Sequence, residues 1–323
     1  MSSSTPVLDQ LRAMPGGFGQ PTFASLLTAM LADAQAQAAA GARPPTLLVM
    51  GEPLAGKSTF LSQLFVRLLG SADVPSPGPS AVRGRRDGLV VRPYLVRWGD
   101  TIRGAKKVGR VAHERQFGDL TPDEFTATSE LLAEAAQTAG RAAQDGPPAL
   151  VVVEAPGVTM LTGADGQLLG LNRGYTLARM LAADDHGYLL ALCADQAVRE
   201  THLSGRQARI TGSGPEIREA TQLAANRIRQ QVTDLLYALA ASGTIQLPEP
   251  APELPFTRES LDRHPAYRNE AVLRAYLPHL LRDDLRVPAD RAFVGLNAFL
   301  GEDIRPDTDV LDAYDWTHEH FGF

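Results

Sequence analysis

Along the chain, short and wholly apolar runs alternate with longer stretches whose apolar residues recur every three or four positions. The short runs are TLLVM (46–50), LVVRPYLVRW (89–98), PPALVVVEAPG (147–157) and YLLALCA (188–194). Runs of this length bounded by proline or glycine predict strands covered on both faces. Pro93 interrupts the second run, and a residue without an N–H fits only an edge strand or a bend. Residues 23–40 carry Leu26, Leu27, Met30 and Leu31 on one helical stripe, which Gly41 and the Pro44-Pro45 pair close. Further helices are expected from the turn after TLLVM to about Leu69, over 122–144, and over 215–242 with Gly243 at its end. Residues 269–286 and 289–300 also read as helical. Strands alternating with helices predict an α/β fold with a mainly parallel sheet.

The punctuation divides the chain into three. Residues 1–44 read as a helical lead-in and 45–247 as the core. Residues 248–323 read as a proline-rich linker (PEPAPELP, 248–255) followed by a small, acidic, helical C-terminal extension. A Pro/Gly/Ser-rich loop is expected over 70–88.

With 323 residues, 44% hydrophobic and 21% charged, the composition is that of a globular protein and excludes disordered, collagen-like and coiled-coil classes. No apolar run approaches the roughly 18 residues that span a bilayer. The opening MSSSTPVLDQLRAMPGG lacks a basic segment followed by an apolar one. A cytoplasmic protein without membrane contact is expected. Cys193 stands alone, so neither an intrachain disulfide nor a cysteine-based metal cluster can form.

Charge is uneven. Residues 83–115 hold ten basic and three acidic residues, whereas 250–323 hold fourteen acidic and eight basic, a surplus equal to the net charge of −6. The basic stretch suits a phosphate-bearing ligand, although a solvated basic face explains it as well. Overall acidity argues against a dedicated nucleic-acid binder.

One segment carries chemistry. Gly51-Glu52-Pro53-Leu54-Ala55-Gly56-Lys57-Ser58 fits G-x-x-x-x-G-K-[ST], follows an apolar strand and opens a helix, as the phosphate-binding P-loop requires. Glycines let successive backbone N–H groups curl around a phosphate, and the helix that follows directs its positive end at the anion. Lys57 can reach the β- and γ-phosphates, and Ser58 can ligate Mg²⁺, with Thr59 next in the cradle. Lys57 is one of only three lysines, since this chain otherwise uses arginine for positive charge. Glu154, ending the run ALVVV, is the candidate strand-end carboxylate, to hold Mg²⁺ through water or to orient the attacking group. These residues predict a three-layer P-loop NTPase fold with ATP and Mg²⁺ as cofactors.

The segment Gly99-Asp100-Thr101-Ile102-Arg103, with Gly118-Asp119-Leu120-Thr121-Pro122-Asp123-Glu124 beyond it, resembles the nucleoside monophosphate kinases, adenylate kinase above all. The resemblance spans roughly 45–247. It implies that G-D-x-x-R opens the acceptor helix, with Arg103 on the acceptor phosphate. It places Glu154-Ala155-Pro156-Gly157 where that family has D-G-F-P-R, and it gives Arg218 and Arg229 the clamp on the transferring phosphoryl, with Arg206 and Arg209 in a short lid. The chain departs from the family in three ways: Val158 stands where that arginine belongs, 70–88 and 158–173 are inserted, and 248–323 has no counterpart. Acceptors therefore extend to nucleosides, sugars or antibiotics. Asp100 is either the base for an acceptor hydroxyl or the cap of its helix, with the cap preferred.

The expected function is an ATP/Mg-dependent phosphotransferase acting on a small-molecule or nucleotide acceptor. The alternative is a P-loop ATPase or nucleotide-sensing module that regulates a protein partner through the C-terminal extension. Leu203-Ser204-Gly205-Arg206-Gln207 matches a transporter-ATPase signature only in the wrong order relative to Glu154. No N-K-x-D follows YLLALC, which disfavours a switch GTPase. Trp98 and Trp316 read as packing residues. His318 and His320, beside Asp315 and Glu319, read as a solvated, flexible end rather than a metal site.

Overall fold

A computed structural model describes residues 21–51, 56–68, 91–115, 120–155, 187–194, 291–297, 311–312 and 314–321. In chain order these form α1 (Pro21–Ala39), β1 (Thr46–Gly51), α2 (Lys57–Leu68), β2 (Arg92–Arg97), α3 (Trp98–Lys107), α4 (Pro122–Ala142), β3 (Ala149–Ala155), β4 (Gly187–Ala194), β5 (Ala292–Asn297) and α5 (Trp316–Phe321). The strands make one sheet in the order β2-β3-β1-β4-β5, and every pair is parallel. The fold is therefore α/β, as the alternation of elements predicts. The helix expected over 215–242, the loop over 70–88 and the linker over 248–255 lie outside the described residues.

β1 occupies the centre and is buried at all six positions. Its side chains alternate between faces. Leu47 and Val49 join Leu150, Val152, Leu190 and Leu192 beneath α1 and α2. Leu26, Leu27, Met30 and Leu31 supply the helical side of that layer, the stripe that the sequence indicates, and Phe60, Leu61, Leu64 and Phe65 of α2 continue it. On the other face, α3 and α4 pack over β2 and β3. Gly41 ends α1 at φ +62°, a left-handed position that glycine adopts without a Cβ clash. Polar contacts tie α1 to the far side of the sheet. Tyr188 Oη donates to Asp33 Oδ2 at 2.6 Å, and Arg291 lies 3.6 Å from the same carboxylate with its guanidinium over the Tyr188 ring.

Two expectations change. Residues 292–297 form strand β5 beside β4, not the helix expected over 289–300. A short apolar run such as AFVGLN carries no period that separates strand from buried helix, and pairing with β4 satisfies its backbone here. The C-terminal residues are likewise not a separate appendage where they are described. Tyr314 O accepts from Leu95 N at 2.9 Å, and Asp315 forms a parallel bridge with Leu95. Residues 311–321 thus cover the exposed edge of β2, so the boundary expected at 247 does not divide the sheet. Pro93 fits this edge, because it shares the outward-facing parity of Leu95 and has no N–H to leave unpaired.

α4 begins in a capping box. Thr121 Oγ1 accepts from Glu124 N at 3.3 Å, and Glu124 Oε2 accepts from Thr121 N at 2.8 Å. Glu124 Oε1 also accepts from Ala112 N at 3.0 Å, and Arg115 pairs with the same carboxylate at 3.2 Å. The hydrogen bond from Thr121 N, then that from Ala112 N, and the charge of Arg115 hold the Glu124 carboxyl below its ordinary value, against a smaller upward effect of burial. Thr121→Ala should lower stability by about 1 kcal/mol in urea unfolding. Because the folded-state value is depressed, Glu124 adds stability above the ordinary glutamate range and loses it as pH falls through the lowered value. Glu124→Gln should flatten that part of the acid-unfolding profile.

Candidate functional site

Parallel pairing brings the carboxyl ends of all five strands to one edge of the sheet. β1 ends at Gly51, and α2 starts at Lys57 after a turn whose residues 52–55 lie outside the described ones. Gly56 has φ +84°, where only glycine is unstrained, and its carbonyl accepts from Phe60 N at 2.8 Å as the first helical bond. Lys57 Nζ reaches back over the turn and donates to Gly51 O at 2.5 Å. The lysine therefore bridges both ends of the segment. Ser58 is partly exposed on the first turn of α2, and Thr59 is buried.

β1 steps over β3 to reach β2, whereas the later steps, from β2 to β3, β4 and β5, run in the opposite direction. A right-handed crossover sends α2, after β1, to one face of the sheet and sends α3 and α4, between β2 and β3, to the opposite face. Ligands of open α/β sheets bind outside the strand ends at such a reversal.

Glu154 is the penultimate residue of β3, opposite Val49 of β1 and Arg97 of β2. By alternation it continues the row of Leu150 and Val152 that faces α2, so it stands on the side from which α2 rises. It is not isolated. Arg97 Nε lies 3.6 Å from Glu154 Oε2 and 3.7 Å from Asp100 Oδ2. Arg97 Nη1 lies 3.3 Å from Asp312 Oδ1 and 3.6 Å from Asp315 Oδ2. Thr317 Oγ1 accepts from Arg97 N at 3.0 Å, so the backbone of Arg97 is held by the same C-terminal segment. One guanidinium thus joins four carboxylates from β3, α3 and the chain's end.

Asp100 does not cap α3. The N-cap position is Arg97, without a side-chain capping bond, and Asp100 lies inside the first turn. Its side chain is 1% exposed, and neither carboxylate oxygen accepts a hydrogen bond. Arg103, whose own side chain is 61% exposed, forms an ion pair with Asp100 Oδ1. The preferred cap reading fails because α3 starts at Trp98, directly after β2, two residues before the aspartate. The structure brings Asp100 and Arg103 together and joins Glu154 to the pair through Arg97. Glu52, Pro53, Leu54, Ala55, Arg206, Arg209, Arg218 and Arg229 lie outside the described residues.

Three participants escape sequence reasoning: Arg97, Asp312 and Asp315. Arg97 is one arginine in a basic stretch. The aspartates sit more than 200 positions away in an acidic one, with no local pattern to pair them. The basic stretch itself is partly internal structure. Lys106 Nζ donates to Arg115 O at 2.5 Å and to His113 O at 3.1 Å, while Arg115 pairs with Glu124. His318 and His320 belong to α5, which packs on β2. The His320 ring stacks on Trp316, and Trp316 meets Tyr94 edge-on at 5.5 Å; His318 and His320 are exposed, as expected, on a helix whose Trp316 and Thr317 are buried. Trp98 packs against Phe125. Among the described residues no group of three or more His, Cys, Asp or Glu could hold a metal ion, and no helix is long and apolar enough to cross a membrane.

No family model, curated protein or solved structure matches the chain.

Magnitudes rank the contacts of Arg97. The Asp312 side chain is 57% exposed, and such a pair contributes at most about 1 kcal/mol. Asp100 and Asp315, at 1% and 4%, are buried. Removing the guanidinium from them leaves buried charge uncompensated, at a cost of about 3 kcal/mol. Arg97→Ala should therefore destabilise the fold by about that amount in denaturant titration, whereas Asp312→Ala should cost under about 1 kcal/mol.

Proposed function

We propose that this chain is a phosphotransferase that binds a nucleoside triphosphate with Mg²⁺ at the end of β1 and passes the γ-phosphoryl group to a small acceptor. The observation that carries the reading is Lys57 at the start of α2, immediately after a central parallel strand and hydrogen-bonded across the glycine-containing turn to Gly51. This is the strand–turn–helix context in which G-x-x-x-x-G-K-[ST] binds phosphate. Gly56 takes the positive φ that such a motif asks of its second glycine, and the amino end of α2 adds its dipole.

The oxygen donors suit the metal. Mg²⁺ takes one or two protein oxygens and completes its octahedron with phosphate oxygens and water. Ser58 and Glu154 are donors of that kind, on α2, which follows β1, and on β3, which pairs with β1. Mg²⁺ held there would supply positive charge against the negative charge that develops in transfer. Lys57 binds the β- and γ-phosphates, and Ser58 orients the metal–phosphate unit. Glu154, its carboxylate steadied by Arg97, holds the metal's water shell or the attacking group. Positioning and charge neutralisation account for catalysis in such a site, because phosphoryl transfer asks little covalent chemistry of the protein.

Lys57→Ala should weaken binding of a nonhydrolysable ATP analogue with Mg²⁺ by at least about 100-fold in calorimetry, through loss of a charge-assisted contact from a partly desolvated site. Unchanged affinity would sink the reading.

A further inference from the structure

We infer that residues 314–317 belong to the site as a positioning element: Asp315 and Thr317 fix Arg97, and through it the Glu154 carboxylate, so that docking of this segment on β2 and loading of Mg²⁺ with the nucleotide favour each other. This inference rests on the phosphotransferase reading and gives the C-terminal segment a place in it.

Backbone pairing is the first observation. Along β2, alternate N–H groups turn away from β3. Leu95 N donates to Tyr314 O at 2.9 Å, and Arg97 N donates to Thr317 Oγ1 at 3.0 Å. The last two outward N–H groups of β2 therefore both end on the segment, and Pro93 before them has none. Arg97 is the final residue of β2 and stands in register with Glu154 of β3. The segment thus holds the backbone of the residue beside Glu154, through a threonine that is itself buried.

Side-chain chemistry is the second observation. Asp315 is buried, and its Oδ1 accepts from His318 N at 3.1 Å at the start of α5. Its own helix therefore fixes the carboxylate, whose Oδ2 lies 3.6 Å from Arg97 Nη1. The Nε of the same guanidinium lies 3.6 Å from Glu154 Oε2. One planar group spans the two carboxylates, so the position of Asp315 is passed to Glu154.

Two effects follow, and they have the same sign. A carboxylate held by a fixed partner loses less freedom on meeting a metal or its water, and losing such outer partners costs about 10- to 100-fold in metal affinity. Asp315 also balances the charge of Arg97. Without it, the guanidinium competes more strongly with a cation for Glu154. Coupling between two binding events is reciprocal, so what the docked segment adds to metal loading, metal loading returns to docking.

The test uses the full chain. Calorimetry measures the affinity for a nonhydrolysable ATP analogue with Mg²⁺ and with EDTA, and the ratio of the two is the metal's contribution. Thr317→Val keeps shape and charge and removes the acceptor of the Arg97 N–H. Asp315→Asn keeps shape and removes the charge. In both, the ratio should fall by about tenfold, while the metal-free affinity changes by less than about threefold. Trp316→Phe trims the packing of the segment on Tyr94, leaves both contacts to Arg97 in place and should keep the wild-type ratio. A purely structural role lowers both affinities together, and that result overturns the inference. So does an unchanged ratio in Thr317→Val, or an equal fall in Trp316→Phe. Asp315→Asn removes a buried charge and can unfold the chain, in which case Thr317→Val decides. In the wild type, Mg²⁺ added to the analogue complex should slow hydrogen exchange of the Leu95 and Arg97 amides by about threefold or more, and unchanged exchange overturns the inference. Absence of analogue binding to the wild type, with and without Mg²⁺, instead marks failure of the phosphotransferase reading, and the inference falls with it.

Discussion

The architecture depends on the burial of β1 between two parallel neighbours. A strand in that position can satisfy its backbone only through β3 and β4, and its side chains only through helices on both faces. On one face, Leu47 and Val49 pack with residues of α1 and α2; on the other, α3 and α4 cover the neighbouring β2 and β3. The consequence for chemistry is geometric. When all strands run the same way, each delivers its last residues to one edge, and residues far apart in sequence meet there. Gly51, Glu154 and Arg97 are strand ends of this kind, and Lys57 opens the helix that leaves from the same edge.

The second organising contact is the guanidinium of Arg97. An open sheet leaves the outer edge of β2 with unpaired backbone groups, a site for unwanted pairing unless it is covered. Tyr314, Asp315 and Thr317 cover it, and Arg97 joins that cover to Glu154 and Asp100. Residues 312–317 are thereby linked to Glu154 of β3 and Asp100 of α3. Asp315 serves twice, since its Oδ1 also accepts from His318 N at the start of α5. Two buried carboxylates on one 22%-exposed guanidinium leave little room for independent movement of the C-terminal segment and the site.

The resemblance to nucleoside monophosphate kinases rests on short segments, and the structure tests what their side chains do locally. Asp100 and Arg103 occur at the spacing that suggests an acceptor helix, and α3 begins there. The pair is nevertheless turned inward on itself, which changes the chemistry the segment can offer. Spacing reports which residues share a helical turn. It does not report whether a guanidinium six residues from a strand end finds a phosphate or a neighbouring aspartate.

Much of the fold was legible because its signals are local. TLLVM and ALVVV are apolar without interruption, and the α1 stripe has helical period. The glycine and lysine of the turn after β1 are local as well, since a left-handed backbone position and a reaching cation are properties of single residues. Strand β5 was not legible, because six apolar-rich residues fit either state until β4 is beside them. Nor was the placement of 311–321, nor the convergence of Asp312 and Asp315 on Arg97. The sequence by itself determined most of the described strands and helices and the glycine–lysine turn after β1, because hydrophobic period and backbone sterics act over a few residues. Only the tertiary structure decided strand order, edge protection and the partners of each charge, because ion pairing depends on distances that chain connectivity does not fix.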